Sequence, residues 1–185
     1  GSIINECYID YNDPNAGANL WGIAIECHSN DTSFITNNTI VAKKYTTAIS
    51  CSNCMLTANS ITGSDVESEA IEVSGDFAIL KDNIITDYNN DGIHTTADDV
   101  HIYDNYIDVN SIGINDMSVG LLEISNNVIV TDNGKGIKLT TQATSEIRNN
   151  TLISNNGDYG IYVSNYASPV IRNNIIQGFQ KGIYD

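Results

Sequence analysis

The chain has 185 residues, of which 23 are acidic and only 8 are basic, so its formal net charge is −15 at pH 7. Because nucleic-acid phosphates need cationic partners, this charge argues against a nucleic-acid-binding protein, and it disfavours anionic polysaccharides unless cations bridge the two. No segment approaches the roughly 18 consecutive apolar residues of a membrane helix, so we expect no membrane insertion. Two prolines and no low-complexity stretch leave no linker, which predicts a single domain over 1–185.

Short apolar segments rich in Ile, Val, Thr and Tyr recur along the whole chain and alternate with period two, which is typical of β-strands. In each copy, as between Ile102 and Ile107, an asparagine lies between two aliphatic residues. These asparagines are Asn38, Asn59, Asn83, Asn105, Asn127, Asn150 and Asn174, with Cys7 at the same place in the first copy. Stacked asparagines can bond amide to amide, and Asn tolerates the left-handed backbone of a corner, so we predict one asparagine ladder at a corner.

A second motif, Gly or Ala followed by Ile, alternates with the asparagine motif. Its copies are Gly22-Ile23, Ala48-Ile49, Ala70-Ile71, Gly92-Ile93, Gly113-Ile114, Gly136-Ile137, Gly160-Ile161 and Gly182-Ile183. A period of 21 to 26 residues predicts a solenoid, here with about eight rungs of three short strands each. The small residue fits a tight corner. One inward core row is predicted to contain Ile23, Ile49, Ile71, Ile93, Ile114, Ile137 and Ile161.

Over nearly the whole chain, these two motifs resemble those of the right-handed parallel β-helix repeat proteins, the pectin-lyase-like superfamily and its surface-protein relatives. The resemblance implies an all-β fold, a right-handed single-stranded parallel β-helix. It leaves the function open, because this fold carries lyases, hydrolases, epimerases, adhesins and viral tailspikes.

The four cysteines lie in the first third of the chain, and two of them form a Cys51-Ser-Asn-Cys54 motif without a second pair to complete a zinc site. Aligning the Gly-Ile motifs places Cys27 next to Cys54 on the neighbouring rung, so a Cys27–Cys54 disulfide is one prediction. The alternative is that Cys51 fills a core row with Ile25 and Val73 and that the other cysteines are free thiols.

The longest insertion, Asp10 to Leu20, contains Asp10, Asp13 and Asn15, which could hold a cation. Asp, Asn, Pro and Gly are also ordinary turn residues, and this is the favoured interpretation. Acidic residues then concentrate after residue 64, and several precede the Gly-Ile strand in the same turn of successive rungs, for example Glu69 and Asp91. Stacked turns should place them in a column of carboxylates.

One turn in this acidic region matches the beginning of a calcium loop: Asp87-Tyr-Asn89-Asn-Asp91-Gly, with Asp98 at the twelfth position. Calcium takes six to eight oxygen ligands, so Asp87, Asn89, Asp91 and Asp98 are candidate calcium ligands. The alternative is that the repeat itself demands the Gly-Ile pair and that the match is partly accidental.

The residues after each motif isoleucine should form an outward row: Ala24, Ser50, Glu72, His94, Asn115, Lys138, Tyr162 and Tyr184. A carboxylate beside a histidine is the minimum for acid–base catalysis, so Glu72, Asp91 and His94 are candidate catalytic residues. The favoured alternative is a solvated polar ladder. Residues 89–93 are also similar to the first acidic motif of the polygalacturonase-type β-helix hydrolases, but the other three motifs of those enzymes are missing.

Tyr162, Tyr166 and Tyr184 form a candidate aromatic patch that is suited to stacking on sugar rings, or to capping the solenoid. The acidic surface, the missing catalytic motifs and the shortness of the solenoid favour a non-catalytic scaffold or adhesin-like module, extracellular or at the cell surface, that contacts carbohydrate. The alternative is a carbohydrate-active enzyme domain, a polysaccharide lyase or glycoside hydrolase, around Asp91 and His94. Ca²⁺ is the one cofactor that the sequence suggests. The positions of the two ends within a rung predict a segment excised from a longer protein, with end-to-end stacking of copies as the alternative.

Overall fold

The structure, a computed structural model, describes residues 1–11, 22–140, 144–164 and 167–185. These residues contain no helix long and apolar enough to cross a membrane. Their strands are β1 (Ile3–Asn5), β2 (Tyr8–Tyr11), β3 (Gly22–Thr36), β4 (Thr39–Lys43), β5 (Thr46–Thr57), β6 (Ser60–Val66), β7 (Ile71–Lys81), β8 (Ile84–Tyr88), β9 (Ile93–Thr95), β10 (Asp99–Tyr103), β11 (Tyr106–Val109), β12 (Ile112–Asp116), β13 (Leu121–Ser125), β14 (Val128–Thr131), β15 (Lys135–Leu139), β16 (Thr144–Arg148), β17 (Thr151–Ser154), β18 (Tyr159–Val163), β19 (Val170–Arg172), β20 (Ile175–Gln177) and β21 (Lys181–Tyr184).

Each strand pairs in parallel with the equivalent strand one turn away. One sheet has eight strands in the order β2-β4-β6-β8-β11-β14-β17-β20. The other has 13, because β3, β5 and β7 run without a break over two sides of the solenoid that later turns divide into separate strands, such as β9 and β10. The chain thus winds through three faces per turn for about seven turns, as a right-handed parallel β-helix, and the predicted fold class is confirmed.

Three inward rows of aliphatic side chains fill the interior. We call the side formed by β9, β12, β15, β18, β21 and the first halves of β3, β5 and β7 the Gly-Ile face. Its buried row is Ile25, Ile49, Ile71, Ile93, Ile114, Ile137 and Ile161. The aliphatic positions on both sides of the asparagine ladder are buried as well, from Ile35 to Ile147 and from Ile40 to Leu152. Each fully buried isoleucine contributes roughly 1.5–3 kcal/mol, so these rows supply most of the stabilisation.

The first member of the predicted core row is wrong. Ile23 is only partly buried and pairs with Thr47, whereas Ile25 pairs with Ile49. A shift of two residues keeps every side chain on its own side of the strand, so the hydrophobic pattern cannot distinguish the two registers.

The predicted asparagine ladder is present from Asn38 to Asn174. At Asn105, the side-chain oxygen accepts bonds from the backbone N and the Nδ2 of Asn83, both at 3.0 Å. Its own Nδ2 donates to Oδ1 of Asn127 at 3.0 Å and to the carbonyl oxygen of Leu80 at 2.9 Å. Each ladder side chain with a turn on both sides therefore joins three successive turns.

The left-handed residue at this corner precedes the ladder asparagine, and our expectation that the asparagine itself adopts this backbone is wrong. The preceding residues have φ between 54° and 60°: Asn37, Ala58, Asp82, Asp104, Asn126, Asn149 and Asn173. Most of them are Asn or Asp, the residue types that tolerate this conformation best. The ladder asparagine is explained by its hydrogen bonds alone.

The cysteines differ from the predicted disulfide. Cys51 and Cys54 are bonded to each other, with their Cα atoms 6.4 Å apart, and Cys27 is a buried free thiol. The two-residue shift in β3 is the reason, because it pairs Cys27 with Cys51 instead of placing it beside Cys54. Cys51 lies in a buried row next to Val73, as predicted, but its neighbour on the other side is Cys27 and not Ile25. Burial raises the pKa of the Cys27 thiol, and nearby Glu26 adds to this effect.

Candidate functional site

The outward row of the Gly-Ile face brings the predicted catalytic residues to one place. Strand register pairs Glu72 with His94 and His94 with Asn115. The row continues through Lys138, Tyr162 and Tyr184. Its first member is Glu26 rather than Ala24, because β3 is shifted by two residues.

Asp91 and His94 form the centre of this site, together with Glu69 from the turn one rung below. Ligand atoms of these three side chains all lie within 4.8 Å of one another. Asp91 is 4% exposed, although it is a carboxylate, and its Oδ2 lies 3.8 Å from Nδ1 of His94. Glu69 also accepts a hydrogen bond from Ser68 at 3.2 Å. We call Glu69, Asp91 and His94 the acidic-histidine cluster.

The carboxylates around His94 change its proton affinity. The interaction with Asp91 raises the pKa of His94 above its ordinary value, burial works in the opposite direction, and the charges of Glu69 and Glu72 add to the increase. A protonated imidazole is thus favoured between these acids. Glu72 itself is exposed and accepts a hydrogen bond from Ser50 at 3.3 Å, so it lies at the edge of the site.

Two further residues that the sequence did not single out as site residues lie in β12. Asn115 is 7% exposed and donates a hydrogen bond from Nδ2 to Oδ2 of Asp91 at 2.7 Å, while its Oδ1 has no partner among the described residues. Asp116 points into the solenoid, where its register partners are Thr95 and Leu139. The only sequence signal was their place directly after Ile114 in the repeat, which does not reveal burial of a polar group.

A pH dependence of stability should follow from Asp116. Burial raises its pKa to about 6 from 3.8, although the bond from the Ser118 backbone and the charge of His94 oppose this. The folded state then holds the proton more tightly, so stability is lost as pH rises from about 4 to 6, by roughly 2 kcal/mol. Asp116→Asn removes this loss, and urea melts should show the variant gaining about 2 kcal/mol over the wild type between pH 4 and pH 7. A constant difference across this range would contradict the assignment.

The four predicted calcium ligands are not brought together as one group. Asp91 precedes β9, whereas Asp98 follows it, at the other end of the strand. Asp87 and Asn89 are exposed, and Asn89 accepts a hydrogen bond from Asn110. Among the described residues, only the acidic-histidine cluster gathers three possible metal-ligating groups of the Asp, Glu, His or Cys type.

The other candidate cation site, in the insertion between residues 10 and 20, is only partly described. Asp13 and Asn15 lie outside the described residues. Asp10 forms an ion pair with Lys43, with an N–O distance of 3.2 Å.

An aromatic patch lies further along the same face. The rings of Tyr162 and Tyr184 are stacked, with centroids 5.2 Å apart and an interplanar angle of 3°, and Tyr159 lies 5.2 Å from both. Lys135 and Lys181 place their ammonium groups 5.1–5.6 Å from these rings. We call these five residues the tyrosine-lysine patch. Tyr166, the third predicted carbohydrate contact, lies outside the described residues.

The remaining histidines have partners that the sequence did not indicate. His28 contacts the hydroxyl of Ser52 at 3.0 Å and Glu26 at 3.5 Å. His101 lies between Asp99, at 3.2 Å from Nε2, and Glu123, at 3.4 Å from Nδ1. Opposite ring nitrogens are used, so these two carboxylates do not converge on one point.

Comparison with known proteins supports the fold seen here. The family model described as right handed beta helix region matches residues 21–176. Comparisons with curated proteins and with solved structures gave no match.

Proposed function

The chain belongs to the right-handed β-helix family, and on this premise we propose that it is a non-catalytic scaffold or adhesin-like module that binds carbohydrate. The observation that carries the proposal is the tyrosine-lysine patch. Aromatic side chains present a large apolar surface with a polar edge, which suits the alternating CH and OH groups of a sugar. The family alone leaves this point open, because one fold hosts many functions.

The lysines of the patch strengthen the proposal. The chain has a net charge of −15, yet Lys135, Lys138 and Lys181 all lie in strands of the Gly-Ile face, and Lys138 is the register partner of Tyr162. The ammonium groups can donate hydrogen bonds to sugar hydroxyls or carboxylates. Tyr184 is 40% exposed, so part of its ring remains accessible next to these donors. A glycan that carries carboxylates is therefore the favoured ligand, despite the overall negative charge.

An extracellular or cell-surface location is part of the same proposal. The Cys51–Cys54 disulfide is fully buried, and disulfides persist in oxidising compartments and are rare in the cytosol. The net charge of −15 also favours the solubility of such a module.

Glycan binding should depend on Tyr162. We expect the full chain to bind a subset of neutral and uronic-acid oligosaccharides on an array, and Tyr162→Ala to weaken the best of these interactions about tenfold, as is common for aromatic residues at the centre of an interface. The matched control is Tyr103→Ala. Tyr103 also has a lysine over its ring, Lys81 at 5.5 Å, but it lies on another face of the solenoid.

Two outcomes would count against this proposal. The first is that no glycan binds, and the second is that Tyr162→Ala and Tyr103→Ala have equal effects. Far-UV circular dichroism of both variants would show whether a loss of binding reflects unfolding.

A second candidate, a carbohydrate-active enzyme domain, is favoured by the acidic-histidine cluster. Buried Asp91 and its neighbour His94, whose pKa is raised, have the chemistry of an acid–base pair. Two depressions in the described surface lie elsewhere, one lined by Val163 and Pro169 and another by His28 and Asn53. New reducing ends or unsaturated products in the glycan incubations, lost in His94→Gln, would replace the non-catalytic proposal with this one.

A further inference from the structure

The acidic-histidine cluster has the composition of a metal site. It combines one imidazole, from His94, with two carboxylates, from Glu69 and Asp91, on two adjacent turns of the solenoid. At 3.8 Å, the gap between Nδ1 of His94 and Oδ2 of Asp91 is too long for a hydrogen bond. Two ligands of one ion with bonds of about 2.0–2.2 Å lie at a similar separation, on the order of 3.5 Å.

Asn115 provides an independent indication that something polar is missing. Its side chain is held against Asp91 by the 2.7 Å bond from Nδ2, and its register partner is His94. This bond also fixes which amide atom faces Asp91, because the reverse orientation would bring two oxygens together. The residue is more than nine-tenths buried, and Oδ1 has no partner among the described residues. An unsatisfied buried oxygen costs about 1–3 kcal/mol, and a cation or its bound water beside Asp91 would satisfy it.

The chemistry of the ligands selects the class of ion. Calcium and magnesium prefer sets made only of oxygen atoms, whereas an imidazole with two carboxylates suits divalent transition metals such as Zn²⁺, Mn²⁺ or Co²⁺. We propose that Glu69, Asp91 and His94 bind one divalent transition-metal ion on the Gly-Ile face, with Asn115 orienting the Asp91 carboxylate. This site shares Asp91 with the predicted Asp87–Asp98 calcium turn but uses none of its other residues, and it does not depend on whether the patch binds glycan.

The side-chain placement explains why such a site could form on a regular solenoid. Asp91 is in the turn that precedes β9, and His94 is the second residue of that strand, so one rung supplies two ligands. Glu69 occupies the turn one rung below, and its Oε1 accepts a hydrogen bond from Asn90 at 3.4 Å. The His94 side chain is 20% exposed, so the cluster reaches solvent on that side.

Metal titration of the full chain at pH 7.5 tests the proposal without any activity assay. We expect ZnCl₂ to bind in calorimetry at one ion per chain, and CoCl₂ to give a visible absorption band from a histidine-carboxylate site. Asp91→Asn and His94→Gln should each weaken binding at least tenfold. Because thiolates bind zinc and Cys7 is an exposed free thiol, the reference chain and all variants carry Cys7→Ser, and reducing agents are omitted to keep the Cys51–Cys54 disulfide.

The matched control is His101→Gln. His101 also contacts two carboxylates, but through opposite ring nitrogens, so it should contribute nothing and the variant should bind as the wild type does. Because Asp91 is buried and its variant could unfold, Glu69→Gln, at a partly exposed position, is a second test of the same site.

The proposal is overturned if neither metal binds, or if His94→Gln binds with wild-type stoichiometry and affinity. A loss of binding in His101→Gln instead would place the ion at the other histidine. Calcium binding would identify a different site. If CaCl₂ displaces zinc completely and Asp98→Asn abolishes binding, the ion occupies the predicted oxygen-only turn instead of this cluster.

Discussion

Asn105→Ala is expected to lower the free energy of unfolding by about 3–5 kcal/mol, which is a large fraction of the stability of an ordinary domain. The substitution removes the acceptor for two donors of Asn83 and the donor to the Leu80 carbonyl and to Asn127. These groups are buried, and each one left without a partner costs about 1–3 kcal/mol. Urea denaturation followed by far-UV circular dichroism measures the loss.

Asn110→Ala is the matched control for this effect. Asn110 is exposed, and its Nδ2 donates to Asn89 instead of to the ladder, so its replacement should change stability by no more than about 0.5 kcal/mol. If the two alanine variants melt at the same denaturant concentration, the ladder does not hold the turns together in the way described.

The fold could be predicted from sequence because its determinants repeat. A buried amide that joins three turns requires asparagine at the same place in each rung, from Asn38 to Asn174, so the ladder is visible as a spacing. Register within a rung carries no such signal. The insertion before β3 left two ways of aligning Ile23 and Ile25 that bury the same kinds of side chain, and the wrong choice also misassigned the disulfide partner of Cys54.

The candidate site was predictable only in part, for a similar reason. Glu72 and His94 follow the motif isoleucines, so their adjacency in the outward row could be derived from the repeat. The burial of the Asp91 carboxylate could not be derived from the repeat, because it involves a hydrogen bond from the Asn115 amide in the next turn. The inward place of Asp116 is a further exception, since a carboxylic acid there contradicts the apolar pattern of the row.

The glycine column of the Gly-Ile face gives a sharp test of how closely successive turns pack. A β-carbon at Gly113 would lie 2.2 Å from Cγ2 of Ile129 and 2.6 Å from the backbone oxygen of Gly136. The backbone oxygen cannot rotate away, and β15 would have to shift. The sequence motif accepts Gly or Ala, and Ala48 and Ala70 occupy the column in earlier turns. At Gly113, in contrast, the structure leaves no room for a side chain.

Gly113→Val is therefore expected to lower the free energy of unfolding by about 3 kcal/mol or more, and Gly113→Ala by roughly 1–3 kcal/mol, as overpacked cores do. The matched control is Gly182→Ala, because a β-carbon there meets nothing within 4 Å, and this change should stay within about 0.5 kcal/mol. Thermal and urea melts of the three variants provide the comparison. Equal melting of Gly113→Ala and Gly182→Ala would mean that the turns around β12 are less closely packed than the structure indicates.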